Sequence, residues 1–363
     1  MKDLEQAKAR LKQLDREMAT LFEKRMEAAR DVALSQRDLA IPAGEPFRPD
    51  EVIGENAALI SDEELRSYYP LFLGNLMGLA SQVEHRIMSG IRVAYAGVPG
   101  AFAHVAAKKI FTNGVAISYP DFRTAYEAVE AGECDCAVLP IENSYAGDVA
   151  QVMDLAYFGS LYINGVYDIH VTQCLLGTQD ATLEGVKEVI SHPQALSQCA
   201  DYLAKLGVQI TEASNTAIAA RKVADTASPT LAAVGSPEAA ELYGLKVLEA
   251  NINESTTNTT RFAVFCRTPR VVNANDGCFI MTFTVKNEAG ALAKAISIIG
   301  ERGFNMRSLK SRPAKNLSWS YYFYIEAEGN LASPAGIRML EKLGTICSGL
   351  KILASYDKEI TLK

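Results

Sequence analysis

Apolar residues recur along the first part of the chain at alternating steps of three and four: Leu4, Ala7, Leu11, Leu14, Met18, Leu21, then Ala28 and Val32. That spacing is the seam of a helix packed along a partner. Nothing breaks the run before Pro42, which predicts a helix of about 35 residues, roughly 50 Å long. A monomer leaves such a seam poorly covered, so a dimer exchanging long helices is expected. Arg25 stands on the seam where an apolar residue belongs. Either it snorkels or pairs with an acid, or it is an inward cation in a helical pocket. "AIPAGEPFRPD" (40–50) reads as a Pro-rich loop. Two more helices follow, at roughly 50–66 and 68–89, and Gly90 closes the region.

From residue 91 the period changes. "IRVAYAG" is a strand and "AHVAAKKIF" a helix after a glycine turn; "FRTAYEAVEAG" is a helix leading to the strand "CDCAVLPI". The alternation continues through "VKEVISH", "ALSQCADYLAKLG", "NTAIAARKVAD" and "TLAAVG", and ends in the strand around "NTTRFAVF" (258–265). Short strands alternating with helices predict a mostly parallel α/β sheet. "TPRVVNANDG" reads as a linker. Residues 278–363 then show the order β–α–β–β–α–β of a small ferredoxin-like module: "CFIMTFTV", a helix at 289–302, "FNMRSLKS", "WSYYFYIEAE", a helix at 334–346 and "LKILASY".

A chain of 363 residues exceeds one ordinary core, so two or three domains are expected. Apolar content of 48% with 22% charged residues describes a soluble globular protein. A net charge of −7 argues against a nucleic-acid partner and leaves an anionic substrate dependent on local donors. The charged N-terminus has no apolar signal-peptide core, and no stretch reaches membrane-span length. The seven cysteines are scattered and the four histidines show no ligand spacing with them. Reduced thiols, a cytoplasmic location and no metal or cofactor are the expectation.

Four turns fall where α/β sheets bind ligands. "GVPGAFAHVAA" (97–107) opens a helix whose N–H groups suit an anion, or is turn chemistry alone. "PIENSYAGDV" (140–149) puts Glu142, Asn143 and Ser144 at the end of a buried strand, either as site residues or as an Asx-type turn. "SHPQALSQC" (191–199) and Ser214, Asn215 and Thr216 of "ASNTAIAA" read as helix starts that also leave donors free. "NTTRF" is either a plain turn into an edge strand or a set of donors, Thr260 and Arg261 among them. Together these turns make a donor-rich cleft with few bases and no paired nucleophile.

The ordered set of "VLPIENS", "SHPQAL", "NTAIAA", "AAELYGL" and "NTTRF" resembles prephenate dehydratases over residues 91–268. Residues 1–90 look like an all-helical chorismate mutase domain. Residues 278–363 look like an ACT regulatory domain, with "GAL" at 290–292 and "SRP" at 311–313. The whole resembles the bifunctional chorismate mutase/prephenate dehydratase family of phenylalanine synthesis. The resemblance implies a two-lobed, periplasmic-binding-protein-like α/β dehydratase domain in a homodimer or homotetramer. It assigns Thr260 as the donor to the leaving hydroxyl of prephenate and Arg261 as an orienting or carboxylate-holding group. Glu142, Asn143, Ser144, Asn215, Thr216 and Phe262 would bind substrate. L-phenylalanine would bind at Gly290, Ala291, Leu292, Asn305 and Ser311.

Departures from the family pattern carry their own expectations. Ala101 and Ala103 stand where hydroxyls are usual, and Lys310 where an acid often precedes Ser-Arg-Pro. In the mutase-like part, Arg25 falls on one family arginine. Lys8 and Gln36 replace another arginine and the lysine near the breaking ether bond, His85 replaces a glutamine or glutamate, and Glu55 holds an acid's place. Turnover of chorismate is therefore expected to be weak or absent. The rival reading is a non-catalytic two-lobed sensor of aromatic metabolites.

Overall fold

In this computed structural model the described residues are 2–38, 49–255, 257–314 and 321–362. The chain divides into two compact units, Met1–Arg92 and Val93–Lys363. The first holds helices α1 (Lys2–Asp38), α2 (Pro49–Ala57) and α3 (Glu63–Ser89), with α1 and α2 both packed on α3. The uninterrupted first helix is as long as its pattern predicts. The second and third differ from the expected bounds: the break falls at 58–62, not 67, and Pro70 lies inside α3. Asp62 sets the new start, its carboxylate accepting from Leu65 N at 3.0 Å with Glu63 and Glu64 in the first turn. Most of the Pro-rich loop, 40–48, lies outside the described residues.

The second unit opens with β1 (Arg92–Ala96), α4 (Phe102–Ile110), β2 (Val115–Tyr119), α5 (Phe122–Glu130), β3 (Cys136–Asn143), β4 (Gly147–Asp148), α6 (Ala150–Phe158) and β5 (Tyr162–His170). The chain then crosses to β6 (Cys174–Gly177), β7 (Glu188–Ser191), α7 (Pro193–Gln198), α8 (Ala200–Leu206), β8 (Gln209–Glu212), α9 (Thr216–Thr226), β9 (Leu231–Gly235), α10 (Pro237–Tyr243) and β10 (Lys246–Glu249). It returns as β11 (Thr259–Cys266). The result is two lobes, one on each of two sheets. One sheet is ordered β10-β6-β9-β7-β8. The other runs β5-β11-β3-β1-β2, with β4 beside β3.

These sheets are mixed rather than mostly parallel. The returning β11 lies antiparallel to both β3 and β5, and β6 is antiparallel to β9 and β10. A helix-and-strand alternation predicts parallel neighbours only while each crossover stays in one sheet, and two connections here change sheets.

The last part is β12 (Cys278–Val285), α11 (Ala291–Glu301), β13 (Asn305–Pro313), β14 (Tyr321–Glu328), α12 (Pro334–Ile346) and β15 (Cys347–Tyr356), in a sheet ordered β13-β14-β12-β15. Alternation along β12 sorts its two faces. Phe279, Met281 and Phe283 pack with the helix residues Ile298, Ile299 and Met339. Cys278 and Ile280 join Ala263, Phe265 and Leu139 of the first lobe in one core. The chain finally adds β16 (Ile360–Leu362) alongside β5. This short strand has no sequence signal, being only three residues long.

Candidate active site

The cleft between the two lobes encloses about 530 Å³. Two crossing segments form its floor. Val171 N donates to Asn258 O at 2.8 Å, and Ile252 N donates to Gln173 O at 2.9 Å. Among the described residues the lining holds no lysine or arginine. Positive potential comes instead from helix ends. The first residues of α4 (Phe102), α6 (Ala150, Gln151) and α9 (Thr216) all line the cleft. Neither Ala101 nor Val149, the caps of α4 and α6, makes a side-chain cap bond. Their leading N–H groups remain donors, and each helix N-terminus carries about half a positive charge. Convergent helix ends without side-chain cations suit a small carboxylate ligand.

Thr260 lines this cleft from β11, directly opposite Asn143 of β3. Asn143 Nδ2 donates to Thr260 Oγ1 at 2.9 Å and to Asn258 Oδ1 at 3.0 Å. Asn143 Oδ1 accepts from Tyr145 N at 3.0 Å and Ala146 N at 2.8 Å. The amide is therefore held at both ends. Because the Thr260 oxygen accepts from it, the hydroxyl proton is left to point into the cleft. His192 and Asp148 are the ionisable side chains of the lining. His192 caps α7, its Nδ1 accepting from Gln194 N at 3.2 Å, which puts the proton of the neutral ring on Nε2. Asn215 lines the cleft and caps α9, accepting from Ala217 N at 2.7 Å. Burial pushes the Cys199 thiol up to about 12, so it is no thiolate nucleophile.

Arg261 lies on the opposite face of β11, outside the cleft. Its guanidinium meets Asp168 at 3.2 Å, Glu326 at 3.1 Å, Glu142 at 3.5 Å and Glu359 at 3.8 Å. Four carboxylates already surround it. Glu326 is 3% exposed. Burial pushes its carboxyl up while Arg261 pulls it down, and burial wins. Glu142 shares the Arg261 side of the sheet, reaching Lys310 at 3.2 Å. Ser144 is exposed and ties β3 to β11, its Oγ accepting from Thr259 N at 3.0 Å. Phe262 is 1% exposed, in the core. His170 contacts Thr259 Oγ1 at 3.3 Å, outside the lining.

Two buried glutamines of the cleft region were assigned no role from the sequence. Gln173 and Gln198 are 2% and 7% exposed and joined at 3.3 Å, and both line the cleft. Gln173 Oε1 has no hydrogen-bond partner among the described residues. Asn258, 3% exposed, leaves its Nδ2 without a partner among the described residues, beside Gln198 in an adjoining hollow of about 160 Å³. Gln198 carried a signal, one helical turn after Gln194 in the "SHPQALSQC" stretch. Gln173 lies in the crossing segment just before β6, with no pattern around it.

Elsewhere, Gly290 has φ +81° and starts α11, with Ala291 and Leu292 in the first turn. Leu292 lines a 110 Å³ hollow with Glu288, Tyr321 and Phe323. Ser311 pairs with Phe323, and Asn305 donates to Glu328 at 3.1 Å. In the helical unit Arg25, Gln36 and His85 are half-buried, while Lys8 and Glu55 are exposed. Lys8 pairs with Glu5 at 3.0 Å. A 490 Å³ hollow along α1, lined by Thr20, Glu23, Glu27 and Arg30 among others, includes none of these five.

A family model described as prephenate dehydratase matches residues 93–270. The chain is 33% identical over 296 residues to the chloroplastic arogenate dehydratase/prephenate dehydratase 2 of Arabidopsis thaliana, covering 78% of this chain and 77% of that one. It is 33% identical over 278 residues to the bifunctional chorismate mutase/prephenate dehydratase of Escherichia coli strain K12, covering 74% of this chain and 71% of that one. A solved structure of prephenate dehydratase from Arthrobacter aurescens in complex with L-Phe is similar at a TM-score of 0.68 and 26% identity, covering 74% of this chain and 90% of that one.

Proposed function

The chain belongs to the prephenate dehydratase family, and from that premise we propose that it converts prephenate to phenylpyruvate, CO2 and water, with Thr260 as the donor to the departing hydroxyl. In this reading the C–C bond to the ring carboxylate breaks as CO2 leaves. Its electrons enter the ring, the C–O bond to the ring hydroxyl breaks, and one proton is taken up to release water. Aromatisation drives the step, so a positioned donor suffices where a strong acid would otherwise be needed. The carrying observation is the Asn143–Thr260 hydrogen bond of 2.9 Å, which fixes the hydroxyl and turns its proton to the cleft. A non-catalytic sensor has no use for that proton.

The uncapped ends of α4 and α6 would receive the two carboxylates, with Asn215 and Thr216 on the facing lobe. Arg261 would hold β11 from behind rather than touch substrate. Glu142 and Ser144 would act on the same strand pair.

The reading extends to the flanking parts. Residues 278–363 would be an ACT regulatory domain that binds L-phenylalanine at the Gly290 turn. Support comes from the β–α–β–β–α–β order and from the relative solved with L-Phe. Residues 1–90 would be a chorismate-mutase-like domain retained for assembly as a homodimer or homotetramer, with its own reaction weak or lost. Incubating the purified protein separately with prephenate and chorismate, and following phenylpyruvate and prephenate, tests both halves. The reading requires phenylpyruvate from prephenate, and its absence would overturn it.

A further inference from the structure

Lys310 stands on β13, in the four-stranded sheet, and reaches across to the first lobe. Its Nζ lies 3.2 Å from Glu142 Oε1 and also bonds Asp148 Oδ1. The lysine side chain is 18% exposed. Glu142 and Asp148 are directly opposed across the β3–β4 ladder. Like charges at such a pair of positions repel and weaken the pairing. One ammonium between them removes the repulsion.

That small hairpin is the lip of the cleft. Asn143, which holds the Thr260 hydroxyl, pairs with Gly147 inside it. Asp148, Val149 and Ala150 line the cleft as the chain enters α6. Arg312, two residues after Lys310, makes a second tie to α6, with Asp154 at 2.7 and 3.1 Å. The catalytic lip is thus closed by a cation that another sheet supplies.

We propose that Lys310 is a positioning residue for the dehydratase cleft, holding the 142–148 hairpin shut and so fixing Asn143 and Thr260. The proposal rests on the dehydratase reading for its activity readout and on the geometry alone for its structural one. It also makes β13, and anything that moves it, a direct influence on the site. Among the described residues its ion pairs are with Glu142 and Asp148, so its influence on the cleft runs through that hairpin.

The test uses the full chain with Lys310→Met, Lys310→Arg and the double variant Lys310→Met/Asp148→Asn. Removing the cation should lower kcat for prephenate about tenfold with KM changed less than about twofold, because positioning rather than binding is lost. Lys310→Arg should retain at least about half of kcat, since it keeps the charge. Amide hydrogen exchange over 142–151 should rise about threefold or more in Lys310→Met. It should stay near wild type in Lys310→Arg and fall back in the double variant, where the repulsion is gone. Peptides from 278–285 should be unchanged throughout. Unaltered exchange over 142–151 in Lys310→Met would overturn the proposal, as would a rise shared by 278–285, which would make Lys310 a folding residue of its own sheet. If wild type itself fails to turn over prephenate, the dehydratase reading falls, and the exchange comparison still decides the role of Lys310.

Discussion

On a strand, neighbouring side chains leave on opposite faces, and this separates Thr260 from Arg261. The sequence places both at one strand mouth, but only Thr260 lines the cleft, while Arg261 sits among carboxylates on the far side. The same parity divides Asn143 from Glu142. Read from the sequence these residues share one cleft, although the period-two alternation of a strand separates them. The ring of acids around Arg261 was not legible, because Asp168, Glu326 and Glu359 come from distant strands and a terminal segment. Asn143 is the residue whose job the geometry defines most narrowly. Asn143→Ala removes the bond to Thr260 and leaves two backbone N–H groups unpaired. It should lower kcat by about one to two orders of magnitude through misplacement and reduce stability by about 1–3 kcal/mol. Steady-state kinetics and urea unfolding of the variant check both, and a wild-type kcat would remove Asn143 from this role.

At the scale of elements, strand and helix identities were largely legible, and sheet partners were not. Local periodicity reports which face of an element is buried, whereas β11 pairs with β3 and β5 at sequence separations of 89 or more. The expected α2–α3 break at residue 67 falls inside α3, whose start is set by the Asp62 cap. The Gly290 turn is an element-level device. Its φ of +81° presents the first N–H groups of α11, and a Cβ there would meet nothing within 4 Å. Gly290→Val therefore strains the turn by its backbone, by about 1–2 kcal/mol or more, without a clash. Calorimetry at millimolar L-phenylalanine should show binding to wild type and none to Gly290→Val. No heat and no inhibition of wild type would leave this domain an assembly module only.

For the whole molecule, the helical unit poses the remaining question. Its seam residues Leu4, Leu11, Leu14, Met18 and Leu21 are between 45% and 65% exposed, which suits a second copy of the chain as their cover. Arg25 is half-buried, and its Nη1 has no hydrogen-bond partner among the described residues. It lacks the company the reaction needs: Gln36 supplies a neutral amide where the resemblance asks for a lysine, and Lys8 a point charge in place of a fork. Chorismate turnover should be weak or absent, far short of a typical enzyme, whose kcat is about 10 per second. Prephenate formation followed by liquid chromatography checks this. Turnover at an ordinary rate, abolished by Arg25→Ala, would restore the mutase.

One hydroxyl, that of Thr260, carries the proposed reaction, and one comparison addresses it: steady-state kcat for phenylpyruvate formation from prephenate by wild type and Thr260→Ala, without phenylalanine. Thr260 is partly buried and makes its side-chain bond to Asn143 alone among the described residues, so the variant should fold normally, as circular dichroism would verify. Its kcat should fall by about two to three orders of magnitude, the scale of losing one oxyanion-type donor. A folded Thr260→Ala protein with undiminished kcat would contradict the account and move the search for a donor to His192 and His170.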